Sequence, residues 1–187
     1  MKILAIALAG ILIFAAASNV SAQRRDYMTE AEIELVRDSQ DIDKRIEVLT
    51  KMIDRRLTAI GADASGWKAT SKDQKLWGDA PTGTRSQLLS DVRQLLQKAV
   101  DDIDDVSEHN SNTLTQNKTE GLLFPAAVRS LAAAANRYKP VLNAELPKTK
   151  DERDKGIIIN AIELCDAIID SVVNLPPEVK NEKKKKG

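Results

Sequence analysis

The chain has 187 residues, and its 28 Lys and Arg balance its 28 Asp and Glu, so the formal net charge is zero. This balance excludes the concentrated basic excess with which nucleic-acid-binding domains neutralise phosphates. Aromatic residues make up only 3% of the chain and there is one cysteine, which predicts an aliphatic core without an intrachain disulfide.

Residues 1–22 predict a cleavable secretory signal. Lys2 supplies the positive charge, residues 3–17 form an apolar run, and residues 20–22 offer small side chains to a signal peptidase. The run is shorter than the roughly 20 residues of a spanning helix, and no cysteine follows it for lipid attachment. We therefore expect a mature chain from Gln23, exported to a periplasm or secreted, with no stable membrane anchor.

The first predicted helix spans Thr29 to Ile60. Thr29 and Glu32 have the spacing of a capping box, and Gly61 is a stop signal. Apolar residues recur at helical spacing and predict one narrow buried stripe, with charged faces in water. The residues of this stripe are Leu35, Ile42, Ile46, Leu49, Ile53, Leu57 and Ile60.

A long loop from Gly61 to Gly83 follows, with a short helical turn predicted around residues 71–76. It contains both tryptophans, and loops of this length are either functional or packed over the core. If exposed, Trp67 and Trp77 with Lys72 and Lys75 would form a platform for a protein, peptide or glycan partner. The packed alternative is favoured, because a long loop needs apolar attachment.

Three further helices are predicted. The second begins at Thr84 or Ser86 and ends at Val106, and the third begins near Pro125 and is ended or kinked by Pro140. The fourth spans residues 151–174 and is apolar around most of its circumference, which predicts the most buried element. Residues 178–187 read as a disordered lysine-rich tail.

These elements predict an all-α fold. The simplest arrangement is an antiparallel four-helix bundle of the up-down type, formed by residues 23–177, with the long loop between helices 1 and 2. A three-helix core with the third helix broken at Pro140 stays open as an alternative.

Two groups of residues suggest metal or cofactor binding. The acidic stretch of the second helix and the single histidine that follows it could attract a divalent cation, although the spacing is not that of a calcium loop. These residues are Asp101, Asp102, Asp104, Asp105 and His109. A charged outer face is the favoured reading, as it is for Asp38, Asp41 and Asp43. Haem held by His109 and a methionine such as Met28 or Met52 is disfavoured, because His109 is predicted on a loop.

Cys165 and one short motif complete the candidate sites. Cys165 lies on the apolar side of the fourth helix and is expected to be a small buried hydrophobe, with a redox role as the lesser alternative. Residues 117–119, Asn-Lys-Thr, match the glycosylation acceptor pattern in a predicted loop.

The sequence contains no recognisable nucleophilic triad or phosphate-binding loop. It therefore favours an exported, non-enzymatic binding or interaction protein without a cofactor. The alternative is a periplasmic metal- or cofactor-binding bundle, and an enzyme with an unrecognised active site is a third possibility.

Overall fold

The computed structural model describes residues 25–109, 116–117 and 121–175, with side chains for 25–108 and 124–175. This part is all-helical, apart from one antiparallel pairing of Gln116–Asn117 with Gly121–Leu122. The helices are α1 (Glu30–Asp38), α2 (Ile42–Ala59), α3 (Gln74–Trp77), α4 (Arg85–His109), α5 (Leu123–Glu145) and α6 (Glu152–Ser171), with 3-10 turns at Leu146–Lys148 and Val172–Asn174. The predicted signal, most of the glycosylation triplet and the lysine-rich tail lie outside the described residues.

The first predicted helix is divided into α1 and α2, so the prediction of one continuous helix from 29 to 60 was wrong. Its capping box is present, since Thr29 and Glu32 each bond to the other's backbone N–H. The break lies at residues 39–41, where the Ser39 hydroxyl and the Gln40 amide donate to carbonyls of the last turn of α1. Such side-chain bonds compete with helix continuation, and neither glycine nor proline is needed.

The four long helices enclose the core. α2 packs against α4 and α5, and α6 packs against the same two helices. The core is aliphatic as predicted, and its aromatic members include Tyr138, which is fully buried, and Trp77. Each fully buried Leu or Ile contributes about 1.5–3 kcal/mol, so these faces supply most of the stabilising free energy.

One prediction about an individual helix was wrong. α2 has ten buried residues and α6 has four, so α6 is not the most buried element. The reason is that α6 packs through one side, which leaves Ile159 43% exposed. α5 continues through Pro140, so this proline does not end the helix, which was one of the two outcomes that the sequence left open.

Cys165 should not react with thiol reagents in the folded protein. Its side chain is fully buried in α6, and burial raises the pKa of its thiol to about 12. Because only the thiolate is nucleophilic, we expect labelling by a disulfide reagent such as DTNB to require unfolding. The rate should be negligible in buffer and rapid in guanidinium chloride, and rapid labelling of the native chain would contradict the buried position.

Candidate functional site

The two tryptophans of the long loop pack against each other and against α2. Their ring centroids lie 4.8 Å apart, with the planes inclined by 41°. Trp77 is buried and Trp67 is half-buried. Lys51 Nζ lies 5.6 Å from the Trp67 centroid, and Arg55 Cζ lies 5.6 Å from that of Trp77. This is the packed arrangement that the sequence favoured, and the rings anchor the loop.

A groove of about 400 Å³ lies between α1, the 39–41 joint, the first turns of α2, and α3. We call it the α1–α3 groove. Its lining residues are Leu35, Asp38, Ser39, Gln40, Asp41, Lys44, Glu47, Val48, Lys51, Leu76 and Trp77. Leu76 is 60% exposed, one of three exposed large apolar side chains in the described part of the chain. Lys72 and Lys75 are exposed but lie outside this lining.

Arg55 holds both walls of the groove against α2. Its guanidinium forms an ion pair of 2.6 Å with Glu32 of α1. It also donates to the carbonyl oxygens of Gly78 and Asp79, directly after α3, and lies over the Trp77 ring. One planar group thus bonds both to α1 and to the residues that follow α3, and so joins the two walls to α2.

Arg55 belongs to a set of charged residues that is mostly buried, whereas the sequence predicted that the charged faces of the first helix lie in water. We call the buried Glu32, Arg55, Arg56 and Asp91, together with the more exposed Arg25 that pairs with Asp91, the buried charge cluster. Arg56 is 1% exposed and donates to both carboxylate oxygens of Glu32, at 2.5 and 2.6 Å. Arg25 donates to both oxygens of Asp91 at 2.8 Å. The cluster therefore connects the N-terminal segment, α1, α2 and α4.

The cluster shifts the pKa values of its two carboxyl groups in opposite directions. Burial by itself would raise the pKa of Glu32, but the bonds and charges of Arg56, the Thr29 N–H and the charge of Arg55 together lower it. For Asp91 burial is the larger effect, and its pKa is raised despite the contact with Arg25. Glu32 is thus the carboxylate whose anion the cluster stabilises.

A second polar contact holds the first half of the long loop. Asp54 of α2 accepts from the backbone N–H of Trp67 at 2.8 Å and from Arg137 of α5 at 3.2 Å. Arg137 also donates to the carbonyl oxygen of Ala64 at 3.1 Å. A Cβ atom on Gly66 would lie 2.0 Å from Asp54 Oδ1, so a side chain cannot be added there without displacing the contact. We call this set of contacts the Asp54 clamp.

The residues proposed as metal ligands lie at the end of α4. They are Asp101, Asp102, Asp104, Asp105 and His109. Asp101 accepts from Gln97 at 2.8 Å, and Asp102 forms an ion pair of 3.0 Å with Lys98. The main chain of His109 ends α4 rather than lying on a loop, and its side chain is outside the described residues. Among the described side chains, no three His, Cys, Asp or Glu residues come together in a way that could hold a metal ion.

Two further findings bear on the class of protein. No described helix has both the length and the apolar composition needed to cross a bilayer. Comparison with protein-family models, curated proteins and solved structures finds no match for this chain. Its function is therefore inferred from its own geometry.

Proposed function

We propose that this chain is a non-enzymatic binding module whose α1–α3 groove takes a peptide segment of a partner protein. The exposed Leu76 carries the proposal, because it adds an accessible apolar rim to a lining that contains Leu35, Val48 and Trp77. An apolar patch rimmed by polar groups is typical of an interaction site. The α2 wall from Lys44 to Lys51 is roughly 10 Å long, which suits a short segment.

The charges around the groove indicate what the segment carries. Lys44 and Lys51 both pair with Glu47. The carboxylates of Asp38 and Asp41 are exposed, and neither forms a hydrogen bond or ion pair with another described residue. An apolar anchor with a basic residue beside it would complement this lining. Because Arg55 already fixes both walls, little ordering of the groove opposes binding.

The proposal includes the export and architecture predicted from the sequence. A chain released after signal cleavage would meet its partner in a periplasm or outside the cell.

We also propose that α2, α4, α5 and α6 form the antiparallel up-down bundle. This is supported by Arg85 at the start of α4, which bonds to the Ile60 carbonyl after α2 and pairs with Glu145 at the end of α5.

Replacing Leu76 by Asp should abolish peptide binding without unfolding the protein. The probe is a random peptide library displayed on phage and selected against the chain from Gln23 onward. We expect the selected peptides to bind Leu76→Asp at least about tenfold more weakly in fluorescence polarisation, because the apolar rim is lost. Unfolding free energy should change by no more than about 0.5 kcal/mol, since Leu76 is largely exposed.

Val173→Asp is the matched control. Val173 is also an exposed apolar residue, at 85%, but does not line the groove. This variant should bind the selected peptides as the unchanged chain does. Peptides that bind Leu76→Asp with undiminished affinity would overturn the assignment of the groove as the docking surface.

A further inference from the structure

A second cleft, of about 280 Å³, lies between the N-terminal segment and the outer face of α4. We call residues 25–28 the strap. Tyr27 of the strap forms one side of the cleft. The other side consists of Arg93, Gln94, Gln97, Lys98 and Asp101 of α4. The volume is just below the roughly 300–1,000 Å³ of ordinary ligand pockets, so the cleft suits a small ligand or one unit of a longer one.

The strap is held in place before any ligand arrives. Arg25 bonds to Asp91 of α4 and donates to the Thr82 carbonyl at 2.8 Å. Arg56 donates to the carbonyl oxygen of Tyr27 at 2.6 Å. Because Arg25 is bonded to Asp91 and the Tyr27 carbonyl to Arg56, the fold positions the main chain of the strap, and a ligand need not order it.

The lining presents hydrogen-bonding groups of both kinds around an aromatic ring. Gln94 and Gln97 each carry an amide donor and an amide acceptor, and the Tyr27 hydroxyl also serves as both. The guanidinium of Arg93, half-buried, makes no hydrogen bond or ion pair with another described residue. The two glutamine amides both donate and accept hydrogen bonds, and they therefore suit a ligand whose hydroxyl groups also donate and accept.

The charges of the cleft disfavour an ionic ligand. Arg93 and Lys98 are cationic, but Lys98 is paired with Asp102. Burial and the nearby charges of Asp26, Asp102 and Asp101 raise the pKa of Tyr27, which shows that negative charge also reaches the ring. An anion would approach these carboxylates, and a cation would approach the free guanidinium. Each would meet a group of its own charge, and a neutral ligand avoids both repulsions.

We propose that the cleft between Tyr27 and α4 is a binding site for a neutral sugar unit, held by the amides and the guanidinium, with its apolar ring face against the phenol. This inference does not depend on the α1–α3 groove, because the two linings have no residue in common. The protein would then hold a glycan at one surface and a peptide at another.

The test is an NMR titration of the ¹⁵N-labelled chain from Gln23 onward with three neutral oligosaccharides, those of cellulose, starch and chitin. At least one should shift the amide signals of Tyr27, Gln94 and Gln97 in a saturable manner, with little dependence on salt. Glucuronate and inorganic phosphate are titrated in the same way as anionic probes, for comparison with the neutral sugars. Shifts with these anions and with no neutral sugar, or no shifts with any probe, would overturn the proposal.

Variants separate ligand contact from folding. Arg93→Ala and Tyr27→Leu should each weaken sugar binding by about tenfold or more, while helical circular dichroism stays unchanged. Tyr27→Leu keeps an apolar side chain against the core but removes the aromatic face and the hydroxyl. Arg153→Ala, an exposed arginine of α6, is the matched control and should bind normally. Equal affinity of Arg93→Ala and Arg153→Ala would refute the role assigned to the guanidinium.

Discussion

Replacing Glu32 by Gln should lower the free energy of unfolding by about 3–5 kcal/mol. The change keeps the shape of the side chain but removes the only carboxylate that pairs with both Arg55 and Arg56 in the described structure. Breaking a buried pair by removing one partner leaves an uncompensated buried charge, and here two guanidinium groups are affected. The loss is large against the 5–15 kcal/mol that is typical of a domain. Urea unfolding followed by helical circular dichroism measures it.

Glu34→Gln is the matched control for this prediction. Glu34 is two residues away on α1, and its pair with Arg37 is exposed on both sides. Exposed pairs contribute little, so this variant should differ from the unchanged chain by less than about 0.5 kcal/mol. Equal effects of the two substitutions would show that the buried charge cluster does not join α1 to α2.

The stability contributed by Glu32 should also depend on pH. Its pKa is lower in the folded chain than the ordinary 4.5, so the unfolded chain takes up the proton first as pH falls. The contribution is complete above pH 4.5 and is lost as pH falls through the folded pKa. Glu32→Gln should therefore have a shallower acid dependence than the unchanged chain.

The sequence predicted the elements whose determinants are local. The Thr29 and Glu32 capping box and the end of α2 before Gly61 follow from patterns within a few residues of each other. The aliphatic core follows from composition. The break at residues 39–41 was missed because Ser39 and Gln40 are unremarkable polar residues, and only their bonds to the α1 carbonyls end the helix.

The buried charge cluster was missed for a different reason. Its bonds join residues up to 66 positions apart, and charged residues were assigned to solvent by default. One signal was present in the sequence. Arg56 follows Leu49 by seven residues and Met52 by four, which places it on the apolar stripe of α2 rather than opposite to it. A charged residue on such a stripe requires a buried partner, but the sequence does not indicate that the partner is Glu32.

Gly66, one of the glycines of the long loop, illustrates the same limit. Gly66 looks like a flexible loop residue, whereas the structure places it where Asp54 and Arg137 leave no room for a side chain. Its backbone does not have a positive φ, so close approach rather than backbone conformation requires glycine here. That requirement depends on α2 and α5 together and has no local pattern.

Gly66→Ala should detach the first half of the loop from α2. The added Cβ would lie 2.0 Å from Asp54 Oδ1 and 2.3 Å from Arg137 Nη1, so at least one contact of the Asp54 clamp must break. Overpacking of this kind costs about 1–3 kcal/mol. We expect that loss of unfolding free energy in urea unfolding, together with a red shift of tryptophan emission. The red shift is expected because the backbone N–H of Trp67 loses its acceptor and the indole becomes more solvated.

Gly156→Ala should change the free energy of unfolding in the opposite direction. Gly156 lies inside α6, and a Cβ there meets no atom within 4 Å. Alanine should therefore raise the free energy of unfolding by about 0.5–1 kcal/mol through helix propensity, with tryptophan emission unchanged. Glycine-to-alanine substitution should therefore stabilise the protein at Gly156 and destabilise it at Gly66. Opposite effects would show that the loss at Gly66 is not a general effect of alanine. If Gly66→Ala were as stable as the unchanged chain and kept its emission spectrum, the Asp54 clamp would not be what holds the loop, and the packing of Trp67 against Trp77 would have to do so alone.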